Sequence, residues 1–226
     1  MSGREKVLEQ VLSGGLYCIT ALALSQGRST VAVVAAMLEG GARIIQYREK
    51  RVSRLQAYQE CVAIRRMTRA FGAAFIVNDH CDLALAVEAD GVHVGQDDMP
   101  VEVVRRLVGP HMAIGLSTHG PAQATAALFL PVDYIGVGPV FPTSTKEDVC
   151  APVGLDAVRH AATQALPFVA IGGICRHNLA QVLAAGARSV AMVSEVVTAP
   201  DIAARVREVE GLLAAASGTG SPMPPE

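Results

Sequence analysis

The sequence predicts a single (β/α)₈ barrel of the TIM type, and three observations carry that prediction. Short apolar, β-branched runs alternate eight times with longer stretches rich in Ala, Leu and Arg. The length of 226 residues suits one barrel, which takes about 200–250. Polar or glycine-rich groups follow seven consecutive apolar runs, as expected where a barrel gathers its site at the carboxyl ends of its strands.

The first strand is read over Leu16–Thr20 and its helix over Thr30–Glu39. The pairs that follow are Arg43–Arg48 with Leu55–Ala70, Ala74–Asp79 with Asp82–Glu88, and Gly91–Gly95 with Val101–Val108. Then come Met112–Ser117 with Ala122–Leu130, Tyr134–Val140 with Leu155–Thr163, Phe168–Ile171 with Asn178–Ala185, and Ser189–Ser194 with Asp201–Ala215. The strand runs are almost continuously apolar, as strands covered on both faces are. Gly41-Ala42-Arg43 recurs as Gly186-Ala187-Arg188, with Ala89-Asp90-Gly91 at the corresponding place in the fourth unit; a glycine there ends a helix by accepting a left-handed conformation. One catalytic domain over 1–216 is expected, with the small and Pro/Gly-rich residues 217–226 as a flexible tail.

Composition narrows the function. With 19 basic and 21 acidic side chains the net charge is −2, so a general electrostatic nucleic-acid binder is not expected. No apolar run approaches the ~20 residues of a membrane span, and no apolar signal core follows the polar N-terminus. Five scattered cysteines without a CxxC pair suggest reduced thiols in a cytoplasmic enzyme. Only three of the basic residues are lysines: Lys6, at an unremarkable N-terminus, Lys50 and Lys146. The loop signatures of P-loop ATPases, α/β-hydrolases and zinc proteases are missing, as is a dinucleotide fingerprint.

The residues after each strand sort by chemistry. Gln46, Arg48 and Lys50 alternate and share a face if the extended chain persists; with Lys146 beyond the sixth strand, the cations suit phosphate oxygens. Asp79 and Asp98 end adjacent strands beside those cations, a pattern fit for Mg²⁺ bridging carboxylates to a diphosphate; an ion pair with Arg48 or a helix N-cap are the competing readings. Gly172-Gly173 and Val193-Ser194 follow strands seven and eight, where barrels bind phosphate through backbone N–H groups, although a double glycine can also mark only a tight turn. Two anion sites follow, for two phosphorylated substrates or for one with two phosphates. His119 lies on the same rim, as an acid/base or as a loop residue.

The segments Gln46–Lys50 (QYREK), Val77–Asp82 (VNDHCD), Ala89–Pro100 (ADGVHVGQDDMP), Gly138–Asp148 (GPVFPTSTKED) and Ala170–Ile174 (AIGGI) together closely resemble the thiamine-phosphate synthase family. The resemblance implies a (β/α)₈ transferase that joins a pyrimidinylmethyl diphosphate to a thiazole phosphate, with release of pyrophosphate and Mg²⁺ as cofactor. It further implies that the Gln46-Tyr47-Arg48-Glu49-Lys50 run, chiefly through Gln46, Arg48 and Lys50, and Asn78 after the third strand hold the diphosphate substrate. Asp79 and Asp98 would bind the metal, and Ser117 and Lys146 would contact the pyrimidine or its diphosphate. Thr143, Ser144 and Thr145 would meet the thiazole phosphate, whose cradle Gly173, Val193 and Ser194 complete. Arg48, Lys50 and Lys146 would balance the leaving charge. Two rivals remain: a thiazole tautomerase on the same barrel, which needs no diphosphate site, and a non-catalytic sensor of thiamine precursors. The expected partners are small phosphorylated molecules, with self-association into a homo-oligomer left open and neither nucleic acid nor membrane.

Overall fold

A computed structural model describes residues 1–143, 145 and 150–218. Eight parallel strands close on themselves in chain order, β1 to β8, as a complete barrel. They are β1 (Gly15–Ile19), β2 (Ile44–Tyr47), β3 (Ala74–Asn78), β4 (Gly91–Val94), β5 (Ala113–Thr118), β6 (Tyr134–Val137), β7 (Phe168–Ile171) and β8 (Ser189–Met192). The helices are α1 (Gly3–Ser13), α2 (Thr30–Glu39), α3 (Arg54–Ala70), α4 (Cys81–Ala86), α5 (Val101–Val108), α6 (Pro121–Ala127), α7 (Gly154–Ala162), α8 (Leu179–Ala184), α9 (Ser194–Val197) and α10 (Ile202–Gly218). None among the described residues is long and apolar enough to cross a membrane.

Local chemistry explains where helices begin and end. Ser29 and Ser53 accept the N–H groups of Ala32 and Gln56 and so cap α2 and α3, satisfying donors that a helix start leaves unpaired. On α3 the buried Ala57, Cys61, Ile64 and Thr68 recur at helical spacing and form its inward face. At Gly41 (φ 98°) and Gly186 (φ 102°) the chain turns left-handed, and the next residues, Ala42 and Ala187, return N–H bonds to Met37 and Val182. The Gly-Ala-Arg echo is thus a shared helix stop. In the fourth unit the left-handed residue is Glu88 (φ 52°) rather than a glycine; Gly91 is already in β4, where a Cβ would press on the Ala113 carbonyl at 3.1 Å.

Three expectations shift. The sixth strand stops at Val137, because Pro139 has no N–H to continue a ladder; Val140 and Phe141 then donate to the carbonyls of Ile171 and Gly172 and lay the following loop against β7. The eighth strand stops at Met192 and gives way to the short helix α9. The last helix runs to Gly218 rather than ending at Ala215, and residues 219–226 lie outside the described residues.

The larger correction concerns the N-terminus. α1 starts with a reciprocal cap between Ser2 and Glu5 and closes the bottom of the barrel. Its Val7 and Val11 pack with Tyr17, Ile44, Ala74, Ile76 and Ala113 in a core inside the strands, separate from the larger core between strands and outer helices. Lys6 donates to the Ala73 carbonyl (2.7 Å) and lies 3.6 Å from the Asp90 carboxylate. Asp90, almost fully buried, also receives both terminal nitrogens of Arg65 and the Phe75 N–H. Asp133 repeats the device with Arg4, Arg105 and the Ile114 N–H. These carboxylates tie helices to the closed end of the barrel, leaving the opposite rim for chemistry.

Candidate active site

The strands' carboxyl ends surround a cavity of about 440 Å³. Its walls alternate with the barrel pleat. Gln46, Arg48 and Lys50 line it from the tip of β2, whereas Tyr47 and Glu49 point to the other side and line a smaller cavity of about 200 Å³. The Tyr47 hydroxyl donates to Glu60 on α3, and the Glu49 carboxylate accepts the Leu22 N–H at 2.9 Å. Of the five consecutive polar residues, the pleat therefore places three in the main cavity.

Asn78 and Asp79 enter from β3, and Asp98 from the turn after β4. Asp79 has φ 60°, an uncommon conformation for a residue with a Cβ. It is the centre of a three-residue turn in which His80 N–H returns to Asn78 O at 2.7 Å, while Asp79 N–H still reaches β4 through the His93 carbonyl. Asp98 is held by the Gly95 N–H (2.7 Å). The two carboxyl groups meet: burial first, then the Asp98 charge and hydrogen bond, raise the Asp79 pKa to about 6, against the pull of Lys50 and Arg48. Burial lowers the Arg48 pKa, which the charges of Asp79 and Glu49 oppose. Two carboxylates forced together beside cations are an arrangement that a small hard cation relieves. Among the described residues no group of three His, Cys, Asp or Glu side chains forms a metal cage, so such an ion would draw its remaining ligands from water and phosphate.

The opposite wall is backbone. Gly172 (φ 97°) and Gly173 (φ 64°) are left-handed. A Cβ on Gly173 would lie 2.5 Å from the Pro142 carbonyl and 2.8 Å from Phe141 Cβ, so the double glycine also makes room for the loop folded back from β6. Gly173, Val193 and Ser194 line the same cavity as Thr143 and Thr145, whose hydroxyls lie 3.1 Å apart. Ser144 and Lys146 lie outside the described residues.

A polar chain across the barrel interior was not singled out by the sequence reading. Gln46 Nε2 donates to Tyr17 Oη (2.8 Å), which lies 2.9 Å from Tyr134 Oη. His93 bridges Tyr134 Oη (3.1 Å) and Ser117 Oγ (3.0 Å). These side chains form the cavity floor. Strand alternation was the available signal: His93 shares a face with Gly91 and Gly95. His119 sits on the rim with Nδ1 on the Gly138 carbonyl at 2.7 Å, and so anchors the tip of β6.

Comparison with known proteins agrees with this geometry. The family profile described as thiamine monophosphate synthase matches residues 16–196. Thiamine-phosphate synthase from Pelotomaculum thermopropionicum is 55% identical over 93% of this chain and 97% of its own. The protein of that name from Lawsonia intracellularis is 50% identical over 88% of this chain and 92% of its own. Among solved structures, thiamine phosphate pyrophosphorylase from Pyrococcus furiosus superimposes with a TM-score of 0.83 at 35% identity, covering 91% of this chain and 98% of that one.

Proposed function

The chain belongs to the thiamine monophosphate synthase family, and from that premise we propose how its residues carry out the reaction. The activity is transfer of a pyrimidinylmethyl group from its diphosphate to the nitrogen of a thiazole phosphate, which gives thiamine phosphate and pyrophosphate. One observation carries the residue-level reading: a single cavity has a cation-and-carboxylate wall on one side and a glycine-rich backbone wall on the other. A diphosphate suits the first wall and a phosphate monoester the second, with the reacting methylene carbon and thiazole nitrogen between them.

A diphosphate leaves only when its charge is balanced. Arg48 and Lys50, with Lys146 from the loop after β6, supply that balance, and Asn78 adds a neutral donor. Asp79 and Asp98 fit Mg²⁺, which when bound neutralises diphosphate oxygens. The aminopyrimidine donates electrons into its methylene carbon as the C–O bond breaks, and Gln46 and Ser117 at the cavity floor orient the ring. The thiazole phosphate rests on Gly173, Val193 and Ser194, with Thr143 and Thr145 over it, so that its nitrogen faces that carbon. Catalysis of this kind comes from positioning and electrostatics, with no protein nucleophile.

The test mixes both substrates with Mg²⁺ and follows pyrophosphate and thiamine phosphate, for the wild type, Asp79→Ala and Lys146→Ala. Equimolar products and a large loss in both variants are expected. Full activity in both variants at saturating Mg²⁺ would overturn the residue assignment.

A further inference from the structure

Arg48 and Lys50 carry the diphosphate in the reading above, yet both lie beyond the last ladder residue of β2, Tyr47. Something other than the sheet must hold them. The parallel pairing of β1 and β2 reaches Ile19 opposite Gln46, after which Thr20 N–H still donates to the Gln46 carbonyl at 3.0 Å. In a continued ladder the next bond would run from Arg48 N–H to the Thr20 carbonyl. Instead the Arg48 N–H goes to the Thr20 hydroxyl, at 2.9 Å. The side chain replaces the main-chain acceptor, so the chain can leave the sheet at Arg48 without leaving that donor unpaired.

Thr20 is 1% exposed; burial raises the Glu49 pKa, and the Leu22 N–H together with the Thr20 hydroxyl acts to lower it. One Glu49 oxygen accepts the Leu22 N–H at 2.9 Å, at the start of a 3₁₀ turn over Leu22–Leu24, where N–H groups lack partners within the turn. Its other oxygen is buried without a hydrogen bond. A carboxylate kept in a costly place joins the β1–α2 connection to the residue beside Arg48, although Glu49 does not line the main cavity.

On that reading of the site, we propose that Thr20 and Glu49 are positioning residues, a latch that holds the Arg48 backbone so that its guanidinium meets the departing diphosphate. The latch acts on one substrate only, because the thiazole phosphate wall is built from β6, β7 and β8. Its signature is therefore asymmetric between the two substrates.

Thr20→Val keeps the shape and removes the hydroxyl. Steady-state kinetics should show kcat/KM for the pyrimidine diphosphate reduced by about tenfold or more, with the KM for the thiazole phosphate within about twofold of wild type. Thr20→Ser should restore most of the loss. Glu49→Ala should show the same asymmetry, and Glu49→Gln, which keeps an acceptor for Leu22 N–H, a smaller one. Wild-type constants in both Thr20→Val and Glu49→Ala, or a KM for the thiazole phosphate raised as much as that for the pyrimidine diphosphate, would overturn the latch. If Thr20→Val fails to fold by circular dichroism, the Glu49 pair decides by the same criterion. Absence of pyrophosphate release by the wild type would instead overturn the reading of the site, so the two failures are distinct.

Discussion

Replacing Gly115 by alanine places one methyl group in a filled part of the barrel interior. Gly115 lies on β5 with its α-carbon facing inward, and a Cβ there would stand 2.5 Å from Tyr134 Oη and against the His93 imidazole. Ordinary contacts need about 3.5 Å or more, so with Tyr134 Cζ at 2.3 Å and His93 Nδ1 at 2.4 Å the overlap is about an ångström on each of two neighbours. Neither can retreat without breaking a hydrogen bond. Tyr134 is 1% exposed and hydrogen-bonded to Tyr17, and His93 is held between Tyr134 and Ser117. Overpacking of this kind costs about 1–3 kcal/mol, equivalent to a fall in Tm of roughly 2–12 °C for a domain of this size. The same displacement disturbs the floor on which the pyrimidine is proposed to lie, so kcat/KM for the diphosphate substrate should fall as well. Thermal unfolding of Gly115→Ala measures the first effect and steady-state kinetics the second. The double variant Gly115→Ala/His93→Ala should be less destabilised than the sum of its parts, since removing the imidazole relieves half of the clash. An unchanged Tm in Gly115→Ala would refute the packing argument.

Asp90→Asn and Asp133→Asn break buried charge networks at the closed end of the barrel; each should cost about 3–5 kcal/mol, lowering Tm while leaving kcat near wild type below the transition. A fall in kcat without a fall in Tm would contradict that separation. For pH, the folded metal-free chain holds the Asp79 proton more tightly than the unfolded chain, because burial and Asp98 raise its pKa to about 6. That group's stabilising contribution is therefore complete below about 4 and is lost as pH rises through about 6, while Mg²⁺ binding gains in the same window. The thermal shift produced by Mg²⁺ should be larger at pH 7.5 than at pH 5, and equal shifts would contradict the assignment. Lys146→Arg should lower turnover, because a planar guanidinium does not replace a compact ammonium on a flexible stem; unchanged kcat would refute it.

The eight-fold alternation and the carboxyl-end rim were legible because both follow from strand periodicity and from what must follow a strand. Gln46, Arg48, Lys50, Asn78, Asp79 and Asp98 stand out as polar residues immediately after apolar runs, and the barrel brings them to one cavity. Tyr47 and Glu49 belong to the same five-residue polar run, and composition alone does not separate them, although the two-residue pleat directs them elsewhere. The barrel plug α1 was not legible: it buries only Val7 and Val11, a stripe too narrow to separate from a polar terminus. His93 and Tyr134 also escaped, since a lone histidine and a tyrosine inside apolar strands look like core until closure of the barrel sets them 3.1 Å apart. Gly115 carries no sequence signal at all, because what demands it is the volume of side chains from β4 and β6.

In the proposed reaction one cavity binds a metal-balanced diphosphate against Arg48, Lys50, Asp79 and Asp98 and a thiazole phosphate against the glycine wall. A rapid-quench single turnover with both substrates tests it most directly, comparing wild type with Asp79→Ala/Asp98→Ala with and without Mg²⁺. Pyrophosphate and thiamine phosphate should form together, one to one, at a rate that requires Mg²⁺ in the wild type and is lost in the double variant. Equal rates in the two proteins, or product formation indifferent to Mg²⁺, would contradict it.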